Sequence, residues 1–337
     1  MYGQRAYRGG GRSSVGRHGL GRVWRAGLLW VAACLLGLVS VAQAAGNEPF
    51  RLEVVQVAEG VHALIGPTTD RTYDNLGLNA NFGVIDTPEG AILVDSGASR
   101  AGAVLLEGLA RELTGKPVRW VINTGVQDHR WFGNAYFMAQ GAEVIAHART
   151  VDSQQRELAA QVARLAPVLG ERFEGTEPTS ANRVLEDEVN VFVLGGRTLE
   201  LHYLNDAHFP GDMVLRLPDG EIVFTGDVVY VDRLLGLLPG SDAVRWLDAF
   251  ERLKALAPAH IVPGHGRVTD LAGAQADTGD YLAFIVSGVS RLADEMAGVE
   301  AAIAELGDAP AFARLDNYDI LHRRNVSQAY LRLEAGL

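Results

Sequence analysis

Four times in this chain, an apolar run of β-prone residues ends at a glycine-containing turn that carries a histidine or an aspartate. The first is Val121-Ile122-Asn123-Thr124-Gly125-Val126-Gln127-Asp128-His129-Arg130-Trp131-Phe132-Gly133-Asn134. The others are Asp206-Ala207-His208-Phe209-Pro210-Gly211-Asp212, Phe224-Thr225-Gly226-Asp227 and Val262-Pro263-Gly264-His265-Gly266. Catalytic and ligating groups collect on loops at strand ends, where a rigid scaffold can aim them. Imidazole and carboxylate groups converging from several strands are the donors that Zn²⁺ or a similar ion takes. One histidine beside a glycine turn is ordinary. Four such turns favour a fold that brings its strand ends together.

The apolar spacing supplies the strands. Residues 51–66 read as a strand pair around Glu59-Gly60, and residues 82–95 as a hairpin turned at Thr87-Pro88-Glu89-Gly90. Ala103, Leu105, Leu106, Leu109 and Leu113 recur at helical spacing, closed by Gly115. Strands are predicted at 118–123 and 142–146, then a long amphipathic helix at 151–170 and a polar crossing at 171–188. Strands return at 189–194, 198–204, 213–217 and 222–225, followed by a helix at 246–256 and a strand at 261–262. From about residue 270 the pattern is helical. Two similar halves, each strands then helix, predict a layered α/β sandwich.

Charge divides the chain. It holds 30 Lys+Arg and 41 Asp+Glu, a net charge of −11. The first 44 residues contain Arg5, Arg8, Arg12, Arg17, Arg22 and Arg25 and no acid, so the remainder carries 24 bases against 41 acids, or −17. A body this acidic excludes a general nucleic-acid binder, which needs a basic face for phosphates. A small-molecule substrate is the expected partner. Behind the basic stretch, Ala26 to Ala45 run for 20 residues without a charge and close on Ala42-Gln43-Ala44. This is the pattern of a cleaved secretory signal, predicting a periplasmic or secreted protein with no stable membrane insertion. An uncleaved anchor and a lipoprotein, from Val31-Ala32-Ala33-Cys34, are the alternatives. The single cysteine, Cys34, falls inside the leader, so the body has neither a disulfide nor a thiolate ligand. The expected organisation is a signal peptide at 1–44, a hydrolase-like domain at 45–270 and a helical extension at 271–337.

In this order the motifs resemble those of the metallo-β-lactamase superfamily, the αββα metallohydrolases. That family's leading loop, His-x-His-x-Asp-His, precedes a single His, a bridging Asp and a late His in Pro-Gly-His-Gly. Asp95 in Leu93-Val94-Asp95-Ser96-Gly97 matches the early strand-end Asp, His208 the single His, Asp227 the bridging acid and His265 the last ligand. The resemblance spans residues 50–270 or so. It implies a four-layer αββα sandwich, a helical C-terminal extension and Zn²⁺-dependent hydrolysis. Exported relatives linked to quinoprotein or sulfur-oxidation systems are similar.

The leading loop departs from the family. Aligned without a gap, its two first histidines become Gly125 and Gln127, its Asp becomes His129 and its third His becomes Arg130. A one-residue insertion instead pairs Asp128-His129 with the family's Asp-His and puts Thr124 and Val126 at the histidine positions. The ungapped alignment preserves the spacing of both flanks. In either alignment the donors left are His129, His208, Asp227 and His265, enough for one zinc ion with water. The expected site is mononuclear, held by His129, Asp227 and His265, with His208 as ligand or near neighbour. Asp128 is the expected proton shuttle. Arg130 is expected either to clamp a substrate anion or to pair with Asp128, Asp212 or Asp227. Asp95 and Gln127 are expected behind the ligands, with Asp95 steadying residues 124–130. The loop 67–81 (Thr68, Arg71, Tyr73, Asn75) is expected to border the site, and Trp131 and Phe132 to wall it or to join the core. His62, His147, His202, His260 and His322 have no motif support.

The leading functional expectation is an exported metal-dependent hydrolase acting on an ester, amide or lactam carbonyl. The alternatives are a non-catalytic periplasmic binding or accessory protein, β-lactamase activity, and an iron enzyme of thiol-ester or persulfide chemistry.

Overall fold

The apolar runs Gly90–Val94 (β4) and Val118–Ile122 (β5) pair in parallel at the middle of a seven-stranded sheet. β1 (Glu53–Ala58), β2 (Val61–Ile65) and β3 (Phe82–Thr87) lead antiparallel into β4, and β6 (Glu143–His147) and β7 (Arg183–Leu185) continue parallel beyond β5. A second sheet of five strands runs in the order β12 (His260–Val262), β11 (Ile222–Phe224), β10 (Val214–Leu217), β9 (Arg197–His202), β8 (Val189–Leu194). Here β11 and β12 are parallel and the other pairs antiparallel. The computed structural model describes residues 50–336, so the expected leader lies outside the described residues.

Alternation along the strands makes four layers. Ile92, Val94 and Ile122 point inward and meet Leu199, Leu215 and Phe224 of the other sheet. Their neighbours Leu93 and Val121 point outward onto Leu106 and Ala110 of α1 (Arg100–Thr114). β4 is therefore buried on both faces, which explains its unbroken apolar sequence. The sheets approach closely at Gly83, where a Cβ atom would stand 2.3 Å from the Phe224 ring. α1 begins where Ser99 Oγ accepts the Gly102 N–H at 3.0 Å, and ends at Gly115 in the left-handed region.

On the far side, Val214, Val223 and Ile261 pack under Trp246 and Phe250 of the helix Ala243–Ala255. The same core takes Tyr281 and Ile285 of the helix Asp280–Asp294 and Val326 of the helix Tyr318–Glu334. The residues set apart by sequence as a helical extension are helical, and they share the core of the second half of the sandwich. Sequence patterning missed β7, a three-residue edge strand inside the polar crossing, and the one-turn helix Asp128–Trp131 inside the leading loop. Both are too short to show a period. Among the described residues no helix is long and apolar enough to cross a membrane.

Candidate metal centre

The strands stop along one edge of the sandwich, and the residues just past their C-terminal ends meet there. Asp95 follows β4, Asn123–Arg130 follow β5, His208 follows β9, Asp227 follows β11 and His265 follows β12. Asp95 sits at φ +64°, a left-handed conformation that aspartate tolerates better than most residues. Its Oδ1 accepts the Thr124 N–H at 2.7 Å and its Oδ2 the Thr124 hydroxyl at 2.7 Å. The early acid thus holds the start of the leading loop, as expected from sequence. The long helix Ala148–Leu169 holds the next residues: Gln154 Nε2 donates to Gly125 O and Gln161 Nε2 to Val126 O, both at 3.0 Å.

His129, Asp227 and His265 offer ligand atoms that all lie within 4.8 Å of one another, and all three residues are buried. His129 Nε2 is 3.3 Å from Asp227 Oδ2, and His265 Nε2 is 3.3 Å from Asp227 Oδ1. His208 is outside this group. It lies one ring further out, with its centroid 6.0 Å from that of Tyr230, which stacks on His265 at 4.7 Å. His208 is a near neighbour rather than a fourth member.

Protonation decides what the group can hold. His265 faces the Asn79 carbonyl through Nδ1 at 2.8 Å, so that nitrogen carries the hydrogen. Burial lowers its pKa to about 3, despite Asp227, and the ring is neutral. Its Nε2 therefore turns a lone pair toward Asp227. Burial alone would raise Asp227, but the Arg130 guanidinium and His129 hold it well below the usual carboxylate range. A lone pair facing an ionised carboxylate at 3.3 Å asks for a cation between them. The donor set, two imidazoles and one carboxylate, fits a divalent ion. At His129 the present arrangement differs, because Arg71 Nη2, a donor only, lies 3.2 Å from Nδ1 and places the ring hydrogen on Nε2. Ligation by His129 requires the other tautomer and the release of Arg71. His208 directs Nδ1 to the Gly236 carbonyl at 2.9 Å, and burial lowers it to about 4.

Arg130 corrects one expectation. It is 1% exposed, and all five of its N–H bonds are spent on the protein. Nη2 donates to Asp227 Oδ1 at 2.6 Å and to Gly264 O at 3.2 Å, and Nε donates to Asp227 Oδ2 at 3.3 Å. Nη1 donates to Asp95 Oδ2 and Asn81 O, both at 3.0 Å. A guanidinium has no sixth hydrogen, so Arg130 cannot also clamp a substrate anion. Of the two expectations for this residue, pairing with Asp227 is the one met. Asp128 is also buried. It pairs with Arg71 at 3.0 Å and lies 3.7 Å from His129 Nδ1, on the far side of the ring from Asp227.

The space for a leading histidine is filled. A Cβ atom on Gly125 would stand 2.9 Å from Asp212 Oδ1 and 3.3 Å from Arg130 Cγ. Asp212 accepts the N–H groups of Phe209 at 2.7 Å and Val126 at 3.2 Å. Burial and the nearby Asp227 push its carboxyl well above the usual range. Gln127 is the half-buried residue preceding the one-turn helix, and its backbone carbonyl accepts the Arg130 N–H at 2.8 Å. Trp131 and Phe132 are core, packed with Leu165 and Leu169 of the helix Ala148–Leu169. Of the loop residues, Arg71 borders the centre, while Asn75 braces the loop from within and Tyr73 is exposed. Reasoning from sequence overlooked Tyr230 and the carbonyls of Asn79, Asn81 and Gly264. A carbonyl has no sequence signature, and Tyr230 reads as an ordinary apolar position.

The sequence model of the metallo-beta-lactamase superfamily matches residues 76–265, more than half of the chain and the stretch that contains the four turns. The chain belongs to the metallo-beta-lactamase superfamily. Solved members share its fold. A metallo-beta-lactamase from Pontibacter korlensis aligns at 23% identity with a TM-score of 0.56, covering 69% of this chain and 99% of that one. The DIM-1 metallo-beta-lactamase exposed to ceftazidime aligns at 20% identity with a TM-score of 0.55, covering 70% and 99%. TMB-1 aligns at 19% identity and 0.53, covering 67% and 94%. Within the metallo-beta-lactamase superfamily this member is divergent: its leading loop carries Gly125, Gln127 and Arg130.

Proposed function

We propose that this protein is an exported hydrolase that works with one divalent ion, zinc, held by His129, Asp227 and His265. The observation that carries the reading is His265, whose Nδ1–H is fixed by Asn79 O while its Nε2 lone pair faces an ionised Asp227 at 3.3 Å. An ion bound there supplies Lewis acidity, polarising an ester, amide or lactam carbonyl and acidifying a water near neutral pH. The protein's own part is positioning. Asn79 orients His265, Arg130 and the Asp95–Thr124 pair fix Asp227 and the loop, and Trp246 Nε1, bonded to Val228 O at 2.9 Å, pins the segment behind Asp227. Asp128, buried and turned to the Nδ1 side of His129, is suited to accept that ring's hydrogen and set the ligating tautomer. In this reading it orients His129 and does not shuttle protons to solvent.

One observation favours a second reading, a binding or accessory protein without metal. Arg130 already forks both oxygens of Asp227, which neutralises the carboxylate that an ion needs. Metal analysis separates the two. Purified protein incubated with zinc and then dialysed should retain one equivalent, lost in His265→Ala and Asp227→Ala. It should cleave members of a panel of carboxylic esters, lactams and phosphoesters. Less than half an equivalent, or equal hydrolysis by the His265→Ala variant, overturns the hydrolase reading.

A further inference from the structure

β8 is the outer strand of its sheet and, among the described residues, pairs on one side only, with β9. Its residues alternate. Phe192 and Leu194 are buried between the sheets, while Val189, Val191 and Val193 stand 50%, 64% and 62% exposed on the opposite face. The helices that cover Val214, Val223 and Ile261 do not reach it, and no residue of β8 joins their core. Edge strands are ordinarily protected by a charge, a proline or a bulge. Val-Asn-Val-Phe-Val-Leu has no charge and no proline, and its register against β9 is unbroken from the pair Val189–His202 to the pair Leu194–Arg197. The strand is also firmly held. Gly195 and Gly196, at φ +53° and +86°, close a two-residue turn into β9, and the Arg183 guanidinium lies 5.5 Å from the centre of the Phe192 ring.

The hydrogen bonds of this ladder decide which backbone groups are free. Tyr203 donates its N–H to Glu188 O at 2.8 Å, which makes residues 188 and 203 a bonded pair in the register of β8 with β9. Bonded pairs alternate along an antiparallel ladder, so Asn190, Phe192 and Leu194 turn their N–H and C=O groups to β9. Val189, Val191 and Val193 turn theirs to the open edge. A second β8, antiparallel about a two-fold axis at Val191, matches them. Val191 then meets Val191 of the copy, and Val189 meets Val193. Each pair exchanges both hydrogen bonds and sets β-branched side chains against each other on the exposed face. An axis at Asn190 or Phe192 would present groups already spent on β9. Charge selects the same register. Glu186, Asp187 and Glu188 precede the strand and are exposed. Parallel copies would lay these acids side by side, and an axis at Val189 would lay them on the copy's valines. The axis at Val191 puts them at opposite ends, each set beside the other copy's Gly195-Gly196-Arg197.

We propose that β8 is a dimer interface: two copies of this chain pair edge to edge about Val191, joining their five-stranded sheets into one. β8 lies at the other end of its sheet from β11 and β12, which lead to Asp227 and His265, so the pairing does not involve the candidate metal centre. A ribbon contact is at the small end of specific interfaces, and two acidic bodies repel each other, so the dimer dissociates in the micromolar range.

Sedimentation velocity on the purified protein at about 0.15 M salt, loaded from about 1 to about 100 μM, tests the dimer. The wild type should pass from monomer to dimer within that range. Val191→Lys sets two ammonium groups against each other at the axis and should weaken association roughly tenfold or more. Val191 is exposed and its backbone groups are not used by β9, so this variant should keep the wild-type circular dichroism and urea midpoint. Val244→Lys, at an exposed valine on the helix Ala243–Ala255, should associate as the wild type does. Crosslinking reads the register. With Cys34 replaced by serine, Val191→Cys should oxidise to a disulfide-linked dimer, because Cα atoms about 5.5 Å apart in a bonded pair are within disulfide reach. Val189→Cys alone should not, since residue 189 of the copy lies opposite residue 193. The crosslinking pair carries the test if Val191→Lys is not folded. A wild type that stays monomeric at about 100 μM, as an edge reserved for a different strand would, overturns the proposal. So do a Val191→Lys protein that associates like the wild type, open-ended polymers in place of a dimer, and Val189→Cys that crosslinks as readily as Val191→Cys.

Discussion

Replacing Arg130 by methionine tests the electrostatic logic of the centre most directly. The methionine keeps much of the side-chain volume and removes five donors. Asp95 Oδ2, both oxygens of Asp227, Asn81 O and Gly264 O lose partners at once, all in the buried interior. Removing one member of a buried ion pair costs about 3–5 kcal/mol, mostly as uncompensated charge. The two acids respond differently. Burial already pushes Asp95 to about 6 even though Arg130 opposes the shift. Without the guanidinium its pKa rises further, it takes up a proton near neutrality, and its share of the loss is limited. Asp227 is held ionised chiefly by Arg130 and bears the larger share. The expected loss is about 3–5 kcal/mol at pH 7 without metal, a large part of a typical 5–15 kcal/mol. Urea denaturation of zinc-free and zinc-loaded protein measures it. Zinc restores positive charge beside Asp227, so the loss should shrink in the loaded form. It should also shrink as pH falls from 7 to 5.5, because the folded variant binds the Asp95 proton more readily than its unfolded chain does. A loss below about 1 kcal/mol, or a lysine at position 130 as stabilising as the arginine, would refute the reasoning, since lysine has three donors and no fork.

Other outcomes follow from the same structure. Restoring the family's leading histidines with Gly125→His and Gln127→His should not add a second zinc equivalent by mass spectrometry, because Asp212 and Arg130 occupy the space beyond residue 125. Gly125→Ala alone should destabilise by about 1–3 kcal/mol in urea, the usual cost of overpacking, and a neutral effect would mean that Asp212 moves freely. His208 has a folded pKa of about 4 against 6.5 when unfolded, so it stabilises above pH 6.5 and that contribution is lost as pH falls toward 4. Relative to wild type, His208→Gln should therefore gain about 3 kcal/mol between pH 7 and pH 4, and parallel pH curves would contradict the shift. Truncation after residue 270 should leave the chain insoluble or dye-binding, since it uncovers Trp246 and Phe250 where Tyr281, Ile285 and Val326 now pack. A truncated chain with native circular dichroism and unfolding would show the helices to be dispensable.

Most of the strands, the αββα layering and the candidacy of His129, Asp227 and His265, which the fold brings together, were legible in the sequence. Strand periodicity is local, and each of the three lies in a turn that follows a strand, so chain order alone brought them into question. Asp95 was also legible, because an acid at a strand end next to a glycine turn has a short list of uses. The fate of Arg130 was not. Five hydrogen-bond acceptors come from Asn81, Asp95, Asp227 and Gly264, two of them backbone carbonyls, and no residue type announces a carbonyl. The same holds for Gly125, whose meaning lies in Asp212, 87 positions away in sequence and within contact in space. What the amino-acid order determined is which groups arrive at the edge of the sandwich. Only the tertiary structure decided which of their hydrogens and lone pairs are already spent: all of those on Arg130, and only some on Arg71 and His265. That remainder is set by packing at ångström scale between distant segments, and it determines what the centre can still bind.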